Sequence, residues 1–261
     1  IDFHAVLAQV VEVRDDGATL RIINGGDVGM NKAVTVQRDI VMPPLSLKDI
    51  EAVAIGRKFS IRHFALSFAG KARDVNLLRE MAGGEAVIIS KIESRRGLVN
   101  LEEITQVSDA ILIDRGDLSR EIPIERIPAI QKHIAEEVKK IGKKLYVATN
   151  LLESMITAPT PTRAEVNDIY NTLADGADGL VLAAETAIGK YPLQCANMIV
   201  SLVNEFSKDN SEDRESYYSL PPESLLIPPH GGTLINREAT SKDLESLEGL
   251  QVVTIDDDTM S

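Results

Sequence analysis

Four apolar runs in this sequence end in polar residues that can do chemistry: Ser90-Lys91-Ile92-Glu93, Arg115-Gly116-Asp117, Thr149-Asn150 and Glu185-Thr186. In extended chain, residues two apart share a face, so Lys91 and Glu93 point the same way. Brought to one mouth, the acidic pair Glu93 and Asp117 can hold Mg²⁺ or Mn²⁺ through hard oxygen ligands, leaving positions open for substrate oxygens. The Lys91 ammonium can offset negative charge developing at an enolate or a phosphoryl group. Gly116, with no Cβ, lets a carboxylate or phosphate approach backbone N–H groups where the next helix starts. Thr149 adds a hydroxyl.

Each residue also has a plainer reading. Lys91 and Glu93 can be a solvated ion pair at a strand end. Asp117 can cap the segment 118–121. Thr149 can be a satisfied strand-end hydroxyl, and Glu185 reads better as structural than as catalytic. The histidines at 4, 63, 133 and 230 have no zinc-ligand spacing. Gly25-Gly26-x-x-Gly29 is a turn-rich segment, too weak for a dinucleotide or P-loop site. Convergence of several groups on one rim separates the two sets of readings.

The elements that would position these groups follow from apolar patterning. Residues 5–13 and 18–23 read as two strands joined by Asp15-Asp16-Gly17, and a third short strand is expected from Ala33 to Val36. After Met42-Pro43-Pro44 the pattern alternates. Strands are expected over 64–68, 86–92, 110–114, 144–149 and 179–184. Helices are expected over about 47–57, 71–82, 97–105, 125–141, 163–174 and 191–207, the first capped by Ser46. The strands are nearly continuous in apolar residues, as strands buried on both faces of a parallel sheet are. Periodicity leaves a doubly wound sheet and a (β/α)8 barrel equally open. In both, loops at the carboxyl ends of the strands gather into a site. Residues 209–229 read as a polar, Pro-closed linker, and a new segment starts near residue 230.

The 261 residues carry a net charge of −12, with 44% hydrophobic and 26% charged residues, an ordinary globular composition. That charge argues against nucleic acid or an anionic membrane as the main partner, though a locally positive pocket can still take a small anion. Cys195 is the only cysteine, which excludes an internal disulfide and points to a reducing, cytoplasmic compartment. No window reaches the ~18 consecutive apolar residues of a membrane span. The chain opens without Met inside an apparent strand, so it is expected to be a piece of a longer protein.

At the chemistry-bearing segments the chain resembles pyruvate kinase. The likeness runs over roughly residues 5–208 through NGGDVGMNKAV, ALSFAGKARDV, IISKIESRRGLVNLEEI, SDAILIDRGDLSREIP, KKLYVATNLLESMITAPTPTRAEVNDI and ADGADGLVLAAETAIGKYP, in that order. It implies a TIM-type (β/α)8 barrel, partial here with about five β/α units (43–208), and residues 1–42 as the closing part of a small β lid domain. It implies Mg²⁺ or Mn²⁺ held by Glu93 and Asp117, and Lys91 assisting phosphoryl transfer. Substrate contacts would come from Gly116, Asp117 and Thr149, with Thr149 orienting a water or relaying a proton. Lys32 would reach toward nucleotide phosphates. The implied partners are phosphoenolpyruvate or pyruvate and ADP or ATP; a homo-oligomer is compatible with it.

The departures from the family pattern are equally specific. Ala183-Ala184 stands where a serine-glycine pair is usual, Asn150 where glutamine is usual, and Asn31 where many relatives have a second lysine. The strands that bring an arginine and the K⁺ site have no counterpart, so this piece is expected to be incomplete for activity. The segment LLIPPHGGTLINRE resembles the opening of ATP sulfurylase, which implies a fusion of the two enzymes with a sulfurylase-like part over 230–261. Two other functions fit the same residues: a metal-dependent pyruvate or oxaloacetate aldolase or lyase, and a non-catalytic barrel fused to a sulfate adenylyltransferase.

Overall fold

The computed structural model describes residues 6–29, 34–36 and 42–209. Two strands, β1 (Leu7–Arg14) and β2 (Gly17–Asn24), pair antiparallel around the Asp15-Asp16 turn. Both faces of this hairpin expose apolar side chains, among them Val10, Val13, Leu20 and Ile22. Residues 34–36 lie outside any strand, which corrects the expected third strand in the part that is described. Lys32 and residues 210–261, including most of the linker and the sulfurylase-like segment, lie outside the described residues.

From residue 47 the chain alternates helix and strand. It runs α1 (Leu47–Lys58), β3 (His63–Leu66), α2 (Ala72–Ala82), β4 (Val87–Ile92), α3 (Arg95–Val99), α4 (Leu101–Val107) and β5 (Ala110–Asp114). It continues with α5 (Arg115–Leu118), α6 (Ile127–Ile141), β6 (Lys144–Ala148), α7 (Arg163–Ala174), β7 (Gly179–Val181), α8 (Ala184–Ala187) and α9 (Pro192–Asp209). Strands β3 to β7 form one parallel sheet whose spatial order is their chain order.

Local chemistry sets the helix ends. Ser46 accepts from Asp49 N (3.2 Å) while Asp49 accepts from Ser46 N (2.7 Å), a reciprocal box that starts α1. Thr162 and Glu165 do the same for α7 at 3.2 and 2.7 Å. Helix α6 stops at Gly142, whose φ of +75° suits a residue without Cβ. The single helix expected over 97–105 is two helices meeting at Asn100, whose side-chain amide donates to Gly70 O at 2.7 Å. Strand β7 ends three residues earlier than expected. Ala183 N turns to the Glu185 carboxylate (2.8 Å) instead of a neighbouring strand, and α8 begins.

Strands β5 to β7 are buried on both faces apart from Lys144 at the start of β6, whereas β3 at the sheet edge leaves His63 and Ala65 exposed. Ile88, Ile92, Ile111, Ile113, Leu145 and Val147 pack with Val75, Leu78, Ile104, Ile134 and Val138 of the helices. The opposite face joins Ala110, Leu112, Tyr146, Ala148 and Val181, with Ile89 against them. Helices α7 and α9 close a further cluster around Ile169 and Ile199, with Tyr170 and Phe206 in edge contact at 5.2 Å. This layering fixes the parity of every strand. On β4 and β5 the face of Ile89, Ala110 and Leu112 is also the face of Lys91 and Asp114, so these two polar groups leave the sheet together.

Candidate active site

The carboxyl ends of β4, β5 and β6 bring Lys91, Glu93, Asp114, Asp117 and Thr149 to one rim. Lys91 Nζ lies 2.7 Å from Glu93 Oε1 and 3.2 Å from Asp114 Oδ2. The Glu93 side chain is 1% exposed and that of Lys91 12%, so this is not the solvated pair of the plainer reading. The second Glu93 oxygen accepts the backbone N–H of Phe68, a residue with φ of +50° after β3. One oxygen each from Glu93, Asp114 and Asp117 lies within 4.8 Å of the others.

Asp114 ends β5 and is also the N-cap of α5, accepting from Asp117 N at 3.3 Å. Asp117 is therefore not the cap of α5; its carboxylate lies at the rim and meets Arg120 Nη2 at 2.9 Å. Thr149 Oγ1 donates to Asp114 Oδ1 (2.6 Å) and accepts from Gly116 N (3.3 Å). The hydroxyl is satisfied, as the plainer reading has it, yet satisfied by the rim itself. A Cβ on Gly116 would stand 3.2 Å from Thr149 Cγ2 and 3.5 Å from Asp114 Oδ1, so a side chain there would crowd this junction.

Thr149 and Asn150 have φ of +71° and +56°, a left-handed turn that a β-branched residue rarely adopts. Arg115 holds it. Its guanidinium donates to Thr149 O (3.1 and 2.8 Å) and Asn150 O (3.2 Å), and is anchored by Asp168 at 3.0 and 2.7 Å. Glu185 faces elsewhere: it is buried and accepts Leu152 N (3.1 Å) and Ala183 N (2.8 Å), in keeping with its structural reading.

The electrostatics follow from burial and mutual charge. Burial raises the Glu93 carboxyl to about 7, although Lys91 and the Phe68 N–H pull it down. Burial and the neighbouring Asp114 charge raise Asp117, with Arg120 opposing. Burial also pushes Asp114 upward, but Lys91, the Thr149 hydroxyl and the Asp117 N–H outweigh it and hold the carboxyl low. For Lys91, burial is outweighed by Glu93 and Asp114, and the ammonium is stabilised.

The donor set suits a hard divalent cation: three carboxylate oxygens, with no thiolate or imidazole among the clustered groups. Asp114, a residue of this rim, escaped the sequence reading, and Arg115 was named there without a role. Parity held the signal for Asp114, since two positions before it stands Leu112 on the face that carries Lys91.

Fold and rim together define an α/β protein whose polar groups converge at the carboxyl ends of a parallel sheet. Comparison with known sequences names the family. Residues 1–196 match the model described as "Pyruvate kinase, barrel domain". The chain is 35% identical over 231 residues to a pyruvate kinase of Agrobacterium vitis, an alignment covering 88% of this chain and 48% of that one. It is 41% identical over 207 residues to a pyruvate kinase of Thermotoga maritima, covering 78% and 44%. A pyruvate kinase of Mycobacterium tuberculosis is 35% identical over 207 residues, covering 78% and 44%. The chain belongs to the pyruvate kinase family. It spans about half the length of these curated relatives or a little less. No helix among the described residues is long and apolar enough to cross a membrane.

Proposed function

We propose that the protein containing this chain is a metal-dependent phosphotransferase acting between phosphoenolpyruvate and ADP, giving pyruvate and ATP, and that residues 43–208 are part of a TIM-type barrel. Strand order supports the barrel: a doubly wound sheet reverses direction at a switch point, whereas β3 to β7 run in chain order. Residues 1–42 are read as part of a β lid with Lys32 toward the nucleotide, residues 209–229 as a linker and residues 230–261 as sulfurylase-like. The family match does not favour the aldolase or lyase alternative.

The observation that carries the reading is the buried Lys91–Glu93 pair beside Asp117, within one cluster of carboxylates. Glu93 and Asp117 would hold Mg²⁺ or Mn²⁺, which supplies Lewis-acid charge to substrate oxygens. Lys91, pre-oriented by two carboxylates, faces the position of a transferring phosphoryl and offsets its charge. The rigid turn at Thr149 presents a hydroxyl at the same rim, where it can orient a water that protonates the enolate carbon. Gly116 leaves room for the substrate carboxylate beside the start of α5. A cytoplasmic location and a homo-oligomer fit this function.

The test is ADP-dependent pyruvate formation from phosphoenolpyruvate with Mg²⁺ in the whole protein, beside Lys91→Met. The variant is expected to lose turnover and keep its metal affinity. Turnover equal to wild type would overturn the role given to Lys91.

A further inference from the structure

The two-carboxylate reading leaves one charged residue of the rim without a role. Asp114 touches nearly everything the reaction needs. Its Oδ2 faces Lys91 Nζ at 3.2 Å, and its Oδ1 accepts the Thr149 hydroxyl at 2.6 Å and Asp117 N at 3.3 Å. Through Thr149 Oγ1 it also reaches Gly116 N. Helix capping explains only one of these contacts. The side chain is nearly buried, and one of its oxygens belongs to the cluster within 4.8 Å that includes Glu93 and Asp117.

We propose that Asp114 is a positioning and specificity-setting residue: its carboxylate binds Lys91 and Thr149 to the rim and, as a third negative group, shifts the site's preference from phosphate anion toward divalent cation. This rests on the metal-site reading above. The charge count gives the direction. A divalent ion with Lys91 and two carboxylates leaves one net positive charge for an incoming anion, and Asp114 cancels it. Arg120, 2.9 Å from Asp117, enters both counts equally. Lys91 is divided between two acceptors, so an arriving phosphoryl group must compete with Asp114 for the ammonium. The same division keeps Lys91 fixed while the site is empty.

Asp114→Asn separates charge from shape, because its amide oxygen can still accept from Thr149 and Asp117 N. Binding of Mn²⁺ alone, and then of phosphoenolpyruvate at saturating Mn²⁺, would be titrated for wild type, Asp114→Asn and Glu93→Gln, with thermal melts verifying the fold. In Asp114→Asn, Mn²⁺ is expected to bind about tenfold more weakly and phosphoenolpyruvate about tenfold more tightly. Opposite signs are the signature, since a merely structural Asp114 would weaken both ligands or neither. If Glu93→Gln loses Mn²⁺ while Asp114→Asn binds both probes like wild type, the role of Asp114 is refuted and the metal site stands. If Asp114→Asn fails to fold, Asp114→Ala and Asp114→Ser provide the same readout, and weakening of both ligands in a folded variant also overturns the proposal. A wild-type chain that binds no Mn²⁺ overturns this inference together with the metal-site reading.

Discussion

Arg115 fixes the backbone of Thr149: two guanidinium nitrogens donate to the Thr149 carbonyl at 3.1 and 2.8 Å, where the chain turns with φ of +71°. A left-handed threonine costs of order 1–3 kcal/mol, which surrounding contacts must offset. Here one half-buried guanidinium supplies them and is itself anchored by Asp168. The position of a proposed substrate-facing hydroxyl thus depends on a residue whose own contacts are the Thr149-Asn150 backbone and Asp168.

Arg115→Ala is therefore expected to destabilise the fold by about 2–4 kcal/mol, because it removes charge-assisted hydrogen bonds and leaves carbonyls without their donors. Urea denaturation beside wild type checks this. Lysine cannot reproduce the fork that reaches Thr149, Asn150 and Asp168 together, so Arg115→Lys should recover only part of the loss. Full recovery by lysine would show that charge alone matters here.

Metal binding should depend on pH through Glu93. With burial raising its carboxyl to about 7, a cation that binds below that value must expel a proton. Mn²⁺ affinity is expected to fall by about tenfold per pH unit below 7 and to level off above it. Calorimetry in buffers of different ionisation heat would detect the released proton. In the metal-free chain the same raised pKa acts on stability: the contribution is full below the ordinary value of 4.5 and fades as pH rises through about 7. Affinity that does not change between pH 6 and 8 would contradict this role for Glu93.

Glu185 should behave as a structural residue. Its carboxylate is the acceptor for two backbone N–H groups in the connection after β7, and it is buried. Glu185→Ala is expected to cost about 3–5 kcal/mol by leaving those donors without partners. In whatever fraction remains folded, Mn²⁺ affinity should match wild type. A selective loss of metal binding with stability intact would place Glu185 in the site.

Much of this architecture was legible in the sequence because the parallel sheet writes itself as apolar runs. The five strands were found in order, and the helix expected over about 163–174 is α7. Lys91, Glu93, Asp117, Gly116 and Thr149 do converge, since each follows or ends a strand of one sheet. What escaped was set by particular side-chain contacts that apolar patterning does not record. Asn100 breaks a helix because its amide serves Gly70, thirty residues away. Strand β7 is cut short because Ala183 N prefers the Glu185 carboxylate. Asp114 closes an apolar run in the sequence, and the register of β4 against β5 sets it beside Lys91. The outcome for Lys32 and the segment after residue 209 lies outside the described residues.

The most direct measurement of the central claim, one cation shared by Glu93 and Asp117, is the loss of the free Mn²⁺ resonance on titrating wild type, Glu93→Gln and Asp117→Asn. One ion per chain is expected for wild type, with affinity lowered at least about tenfold in each variant. Equal affinity in all three chains, or no binding by wild type, would contradict the shared site.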